Sequence, residues 1–451
     1  MTDRKTVAVI LAAGLGTRMK SDRPKVMHPL AGQPMIAHLL GTLEPLGLDK
    51  TVVVIGDGME DVADIVKPHA TVVQSERLGT AHAVLAARDF IESFEGELLI
   101  LYGDTPLVSA ATLEAMLTGL RAPEKPAAIT LGFKPDDPGM YGRLIIGEDG
   151  NLEKIVEARD ATPEQLQVPL CNSGVMALDG ATALDYLSRI GNDNTKGEDY
   201  LTDIISISGA EQRSCQVVEG ETTELLGINS RAELAIAEAV VQSQLRGAAL
   251  AGGATLTDPT TVYFSFDTKI GQDVSIGPNV FFGPGVTVED RVEIRAFCHI
   301  EGATVSSGAI VGPFARLRPG AVLENDVHVG NFVEIKNATL ETGSKANHLT
   351  YIGDARVGSG ANIGAGTITC NYDGYFKSHT DIGAGAFIGS NTALVAPVKV
   401  GDGAMIGAGS VIAKDVAADA LAIERATQKE IPDLARKFRQ RKQAEKEKAK
   451  K

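Results

Sequence analysis

From about Ile270 onward, an aliphatic or aromatic residue recurs every six residues, often with glycine behind it. The series Ile270, Ile276, Phe282, Val288, Ile294 and Ile300 slips near Ser306 and resumes at Val311, Leu317, Leu323, Val329 and Ile335. It continues through Ile352, Val357 and Ile363 to Ile382, Ile388, Leu394, Val400, Ile406 and Ile412. A period of six matches neither the roughly 3.6 residues of a helix nor the two of a strand. It is satisfied by a short strand plus a turn, repeated so that the aliphatic side chains stack inside a coil. An amphipathic helix would not hold this period over some 140 residues. The phase breaks between Ile363 and Ile382, where the polar and aromatic segment Thr369–His379 reads as a loop projecting from the coil, a place where function is often carried.

Upstream, residues 1–228 alternate in the α/β manner. Val7–Leu11, Thr51–Ile55, Ala70–Gln74 and Glu97–Tyr102 read as strands, with helical patterns such as Met35–Leu46 and Thr80–Phe90 between them. This predicts a mostly parallel sheet with ligands at the C-terminal strand ends. Leu144–Val156 reads as a hairpin about Asp149-Gly150. Ser230 and Glu233 form a capping-box pattern opening an alanine-rich helix to about Leu250, with Leu234, Val241 and Leu245 on one stripe and Gly252-Gly253 at its end. The chain thus divides into 1–228, a helical linker 229–250, a coil 251–427 and a basic tail 428–451. The tail reads as solvated and partly disordered.

Bulk properties narrow the function classes. Four cysteines (Cys171, Cys215, Cys298, Cys370) in no metal-binding spacing point to a reduced, cytoplasmic protein. No apolar run approaches the roughly 20 residues of a membrane span, and the N-terminus lacks a secretory layout. A net charge of −15 argues against broad nucleic-acid binding, but local basic residues can still hold small anions.

The run Val7–Leu11 feeds directly into Ala12-Ala13-Gly14-Leu15-Gly16-Thr17-Arg18-Met19, and Pro24-Lys25 follows. Met19 stands where a dinucleotide fingerprint needs glycine, and the Gly-Lys-Ser/Thr of a Walker loop is absent. What remains is a glycine turn whose N–H groups can approach phosphates, flanked by Arg18 and Lys25. Asp104, in Leu101–Pro106, ends an apolar strand, where a carboxylate can hold Mg²⁺ against a triphosphate.

Leu11–Met19, Pro24-Lys25, Gln74 with Leu78–His82, and Tyr102-Gly103-Asp104 resemble the sugar-1-phosphate nucleotidyltransferases. The likeness continues through Tyr141-Gly142-Arg143, Ile155-Val156-Glu157, Asn172-Ser173-Gly174 and Gly227-Ile228-Asn229. It implies a Rossmann-like domain that binds UTP and the UDP-sugar through Leu11, Ala12, Ala13, Gly14, Lys25, Gln74, Gly79, Thr80, Tyr102, Gly142, Glu157, Asn172 and Asn229. Gln74, Gly79 and Thr80 would read uracil, and Gly142, Glu157 and Asn172 would hold an acetamido sugar. Asp104 and Asn229 would hold Mg²⁺, with Arg18 and Lys25 as the catalytic charges. The family pattern usually has lysine where this chain has Leu15. In such a reaction a sugar-phosphate oxygen attacks the α-phosphorus of UTP and pyrophosphate leaves. The nucleophile is already ionised near pH 7, so catalysis is positioning plus charge neutralisation.

The coil resembles the left-handed β-helix, hexapeptide-repeat acyltransferases, which trimerise with active sites between subunits. The hand comes from this resemblance, since the general crossover rule favours the right. Arg316–Gly320, Gly330–Lys336, Ser344–Tyr351, Asn362–Thr367 and Cys370–Gly374 narrow it to the bifunctional N-acetylglucosamine-1-phosphate uridyltransferase/glucosamine-1-phosphate acetyltransferases, over about residues 5–427. An amine must be deprotonated before it attacks a thioester, and neutral imidazole can do this. His348 lies where the repeat is imperfect, whereas His299 and His328 sit inside regular coils. Arg318 and Lys336 would meet the sugar phosphate. The resemblance adds Tyr351, Asn362, Lys377 and Asn371 to the glucosamine-1-phosphate site. Ala365, Ser390, Ala408 and Arg425 would line the acetyl-CoA groove, bordered by Asn371 and Tyr372.

The expectation is a homotrimeric cytoplasmic enzyme with two active sites, supplying UDP-N-acetylglucosamine for peptidoglycan and lipopolysaccharide. Two alternatives stand beside it: a nucleotidyltransferase whose coil serves only assembly or allostery, and a non-enzymatic scaffold. Intact Arg18, Lys25, Asp104 and Asn229 count against the second.

Overall fold

The computed structural model describes residues 5–92, 94–195 and 197–450. The N-terminal reading over Met1–Arg4 and the last residue of the basic tail, Lys451, lie outside the described residues. The chain divides into two compact units. One runs to Ala248 and takes in Phe264–Phe266; the other comprises Ala249–Tyr263 and the chain from Asp267 on.

Beside a small pair of strands, Pro29–Leu30 and Gln33–Pro34, the main strands of the first unit are β1 (Thr6–Leu11), β2 (Lys50–Gly56), β3 (Ala70–Gln74), β4 (Glu97–Tyr102), β5 (Ala128–Phe133), β6 (Arg143–Ile146), β7 (Leu152–Val156), β8 (Cys171–Asp179) and β9 (Cys215–Glu219). The main strands form one sheet in the order β9-β5-β8-β4-β1-β2-β3, with β6 pairing β8 and β7. All neighbours on that path are parallel except β8, which is antiparallel to both β4 and β5. Alternate residues of each central strand enter opposite cores: Ala8, Ile10, Leu99 and Leu101 on one face, Val7, Val9, Leu98 and Ile100 on the other. Burial on both faces is why these strands read as unbroken apolar runs. Arg143–Ile146 and Leu152–Val156 pair as the expected hairpin.

Two helical patterns are interrupted. Met35–Leu43 is α-helix, but Glu44–Leu46 tightens to a 3₁₀ turn, where Pro45 cannot donate a helical hydrogen bond. Thr80–Leu85 ends before a separate short helix, Arg88–Ile91. The long helix covers Arg231–Ala251. Its capping box is displaced. Glu233 N–H donates to Ser230 Oγ (3.3 Å), but the Glu233 carboxylate returns to the N–H of Asn229 (2.8 Å), one residue earlier. Val241 is buried on the helix, while Leu234 and Leu245 are only half-buried.

The second unit is a parallel coil. Ile276 pairs with Ile294, Phe282 with Ile300 and Leu317 with Ile335, each one turn of 18 residues apart. One column of strands forms a ten-stranded sheet, and a fifteen-stranded sheet joins two further columns. Glu334–Leu340 and Tyr351–Val357 pair with strands of both columns and so carry them round a corner. The six-period residues are buried from Ile276 to Ile412, with Ile270 in the first turn half-buried. Each fully buried Val, Leu or Ile contributes roughly 1.5–3 kcal/mol, so the stack is the coil's main source of stability. Val305, Leu340 and Ala346 fill the positions that the slips hide in the sequence. Glycine follows the aliphatic residue where the next turn's backbone leaves no room. A Cβ on Gly330 would lie 2.0 Å from the carbonyl oxygen of Asn347.

Two expectations are corrected here. Thr369 belongs to the coil, not the loop: Ile368–Cys370 is a strand, Thr369 pairs with Leu394, and its side chain is buried. Its hydroxyl accepts from Gly353 N–H (2.8 Å) and donates to the Gly353 carbonyl (3.1 Å), which makes a polar residue tolerable inside. The tail is also ordered as a helix, Leu434–Lys448, with every residue exposed. Pairs such as Lys442–Glu445 (2.7 Å) and Arg441–Glu445 (3.6 Å) offset its like charges.

Candidate functional site

In the first unit the chain crosses from β3 back to β4, on the far side of β1, so the switch point of the sheet lies between β1 and β4. Leu11 and Tyr102 are register partners there, and Gly103 N–H donates to the Leu11 carbonyl (3.0 Å). A pocket of about 280 Å³ opens at this point. It is lined by Leu11, Ala12, Ala13, Gly14, Lys25, Gln74, Gly79, Thr80, Tyr102 and Asp104, together with Val26, Arg77, Ala83 and Glu198. The last four were not singled out from the sequence, although Arg77 is the one basic residue between Gln74 and Gly79.

Backbone geometry sets this pocket. Gly79 has φ +135°, and a Cβ there would lie 2.4 Å from the Asp199 carbonyl oxygen, so only glycine fits. Gln74 amide N–H reaches the Gly79 carbonyl (3.2 Å), and Thr80 Oγ accepts from Leu201 N–H (3.0 Å). Burial pushes the Tyr102 phenol well up, and the Asp104 and Glu157 charges add to this, so it stays protonated.

Lys25 bridges Asp104, in an ion pair, and Asn229 Oδ1 (3.1 Å). The Ile228 N–H to Asp104 carbonyl bond (2.9 Å) and the Gly227 N–H to Tyr141 hydroxyl bond (3.2 Å) bring Asn229 there from a distant part of the chain. Asp104 and Asn229 therefore offer two hard oxygens that already share one cation, a donor set suited to Mg²⁺ completed by phosphates and water. Gly142, Glu157 and Asn172 stand together. Asn172 N–H donates to the Gly142 carbonyl (2.8 Å), and a Cβ on Gly142 would come within 3.5 Å of Glu157 Oε1. Arg18 is not among the lining residues; it is exposed on the 3₁₀ turn Thr17–Met19.

On the coil, Arg318, Lys336 and Lys377 converge, joined by Asp354. Lys377 beside it, by hydrogen bond and charge, lowers the pKa of Lys336, and Arg318 adds to this. Burial pushes Asp354 up, but hydrogen bonds from Asn337 and Asn371 and the two lysine charges outweigh it and hold the carboxyl below its usual range. Asn371 Nδ2 also reaches the Tyr351 hydroxyl (3.5 Å), and Arg318 donates to Glu334 (2.9 Å). Three cations against two carboxylates, Asp354 and Glu334, leave a net positive cluster that suits an anion.

His348 is exposed at a corner of the coil, and its Nδ1 lies 2.9 Å from Oδ1 of Asn331, its register partner one turn earlier. Asn331 was not singled out for a role from the sequence; the signal was its place one coil before His348. Asn362 pairs with Lys345 on the same sheet. Ala365, Ser390 and Ala408 stack as a column of turns. Their carbonyls accept from Asn391 N–H (2.8 Å), Gly409 N–H (2.8 Å) and Arg425 Nη1 (2.7 Å), which fixes Arg425 at the end of the column. Tyr372 is exposed on the loop, its hydroxyl donating to the Gly374 carbonyl (2.6 Å).

A nucleotide-sized pocket at the switch point of an α/β sheet, in one chain with a hexapeptide coil, defines a two-domain transferase. The first unit matches the MobA-like NTP transferase domain over residues 8–161. The coil matches the bacterial transferase hexapeptide (six repeats) over residues 267–302 and 379–414. The chain is 60% identical to the bifunctional protein GlmU of Paramagnetospirillum magneticum over 448 residues, 99% of this chain and 100% of that one. It is 63% identical to the bifunctional protein GlmU of Rhodospirillum rubrum (96% of this chain, 97% of that one) and 55% identical to that of Azorhizobium caulinodans (95% and 96%). The chain belongs to the family of the bifunctional protein GlmU. It is a bifunctional enzyme of UDP-N-acetylglucosamine synthesis, with uridylyl transfer in its NTP transferase unit and acetyl transfer in its hexapeptide coil. Among the described residues, no helix is long and apolar enough to cross a membrane.

Proposed function

We propose that uridylyl transfer runs in the pocket between β1 and β4, and that acetyl transfer runs at the coil corner bearing His348. One observation carries this reading: residues from five separate stretches of sequence, Leu11–Gly14, Lys25, Gln74–Thr80, Tyr102–Asp104 and Asn229, meet at one switch point. In the coil, the unprotonated Nε2 of His348 takes a proton from the amine of glucosamine-1-phosphate as its nitrogen attacks the thioester carbonyl of acetyl-CoA. The C–S bond breaks, and the proton goes on to the departing CoA thiolate. Arg318, Lys336 and Lys377 hold the sugar phosphate, with Tyr351, Asn362 and Asn371 around the sugar. Ala365, Ser390, Ala408 and Arg425 line the acetyl-CoA groove, with Tyr372 at its edge.

The product then enters the N-terminal pocket with UTP. Gln74, Gly79 and Thr80 hold the base, and Gly142, Glu157 and Asn172 hold the acetamido sugar. Asp104 and Asn229 would hold Mg²⁺, which when bound supplies charge neutralisation at the triphosphate. Lys25, released from Asp104, turns its charge to the phosphates, and Arg18 closes from the adjoining turn. The sugar-phosphate oxygen displaces pyrophosphate at the α-phosphorus.

A cytoplasmic homotrimer is part of this reading. Phe297, Phe314, Phe332 and Leu349 form an exposed file along one coil corner, each at positive φ, and the three phenylalanines stack at 4.8 and 5.2 Å. Bulky residues in the left-handed region cost about 1–2 kcal/mol each, and an exposed apolar file of this kind suits burial against a second copy. His348 directly precedes Leu349, so the base would sit at that contact.

A paired assay tests the proposal. Thiol release is followed with glucosamine-1-phosphate and acetyl-CoA, and pyrophosphate release with N-acetylglucosamine-1-phosphate, UTP and Mg²⁺. His348→Ala should abolish only the first and Asp104→Ala only the second. Loss of both from either substitution in folded protein sinks the two-site reading.

A further inference from the structure

We infer that Arg77 is a phosphate-binding residue of the uridylyl site, holding the end of the UTP triphosphate that leaves as pyrophosphate. The inference rests on the placement of uridylyl transfer in this pocket and adds a residue to it.

Among the described lining residues, the pocket without Arg77 keeps one cation, Lys25. Its charged lining residues are Lys25, Arg77, Asp104 and Glu198. Lys25 is engaged by Asp104 and Asn229, so its charge is already shared within the pocket. The glycine turn supplies N–H groups but no charge, since Leu15 projects from it 59% exposed. Arg18 lies outside the lining. Among the described residues lining the pocket, Arg77 is the remaining cation.

The guanidinium is also placed for this task. Its Nε donates to the Ala13 carbonyl (3.1 Å), one residue before Gly14, which ties the fork to the turn that would meet phosphate. Among the described residues neither Nη nitrogen has a protein acceptor. Room for the group comes from Gly56 at the end of β2, where a Cβ would lie 2.7 Å from Nη2. A tethered guanidinium with free, coplanar N–H groups is suited to bidentate phosphate recognition. The base-reading alternative is less well served, because Gln74, Gly79 and His82 already form a hydrogen-bonded group of their own.

The test uses full-length protein carrying Arg77→Gln, Gly56→Ala, or Arg77→Gln with Leu15→Lys. Readouts are the KM for UTP, product inhibition by inorganic pyrophosphate, discrimination of UTP from CTP, and thiol release as the check on folding. Loss of a charge-assisted contact should raise the UTP KM and weaken pyrophosphate inhibition by about tenfold or more in Arg77→Gln. The KM for N-acetylglucosamine-1-phosphate and thiol release should be unchanged. Gly56→Ala should give a smaller effect of the same kind, and Leu15→Lys, which returns a cation to the turn, should recover part of the loss. Pyrophosphate inhibition within twofold of wild type overturns the inference, as does a change in UTP/CTP discrimination alone. If Arg77→Gln also loses thiol release, Arg77→Lys replaces it under the same criteria. Wild-type protein that releases no pyrophosphate would defeat the uridylyl reading itself, an outcome distinct from a silent Arg77.

Discussion

Asn331→Ala should slow acetyl transfer without abolishing it, and the size of the effect follows from one hydrogen bond. In the structure Asn331 Oδ1 faces His348 Nδ1 at 2.9 Å. An amide oxygen only accepts, so Nδ1 must carry the proton and Nε2 presents its lone pair to the amine. Such a bond between neutral groups is worth about 0.5–1.5 kcal/mol net, so losing it should lower kcat/KM for thiol release roughly 2- to 13-fold. Removing the base itself, in His348→Ala, should cost on the order of 100- to 10,000-fold. Asn331→Asp separates orientation from mere packing. The carboxylate still accepts from Nδ1 and so keeps the ring in its orientation. Thiol release in Asn331→Asp should therefore stay closer to wild type than in Asn331→Ala. Pyrophosphate release is the internal control and should not change. A normal rate in Asn331→Ala, or a loss in Asn331→Asp as large as that in Asn331→Ala, would refute the claim that Asn331 sets the tautomer.

Three further outcomes are expected. A metal chelator should stop pyrophosphate release and leave thiol release intact, and Asp104→Ala should lower the former on the order of 100-fold or more; equal loss in both assays would contradict this. Lys377→Met should raise the KM for glucosamine-1-phosphate. It should also move the alkaline limb of that binding to higher pH, because Lys377 is what lowers the Lys336 pKa and without it Lys336 keeps its charge further into alkali; binding titrated against pH checks the direction. Thr369→Val should destabilise the coil by about 1–3 kcal/mol, since it strands the buried Gly353 N–H, with the loss read from denaturant unfolding of the coil; an unchanged midpoint would remove the hydrogen-bonding account of this internal threonine.

The coil was legible because its rule is local and repeated: each inward position must be apolar, and the turn behind it often has room only for glycine. It was illegible where one residue is inserted or removed. Val305, Leu340 and Ala346 are as buried as their neighbours, yet they fall out of phase in the sequence. Thr369 misled for a different reason, since its hydroxyl is satisfied by a backbone group one turn away that no local pattern reveals. In the first unit the capping pattern at Ser230 and Glu233 was visible, but the carboxylate closes on Asn229 instead and so fixes the backbone of a residue that meets Lys25. The tail's basic composition suggested disorder, whereas ion pairs at helical spacing organise Leu434–Lys448.

The sequence by itself determined the division into an α/β half and a hexapeptide coil, because hydrophobic period is a property of neighbours along the chain and each architecture permits only one. It also marked the glycine turn, the strand-end carboxylate of Asp104 and the candidate base His348, because each depends on a few adjacent residues. Only the tertiary structure decided which charges face one another. Lys25 between Asp104 and Asn229, Arg77 against Ala13, Lys336 beside Lys377 and Asn331 under His348 each join residues at least 17 positions apart. Electrostatic and hydrogen-bond partners depend on distance in space, and that distance exists only once the sheet has crossed over and the coil has closed its turns.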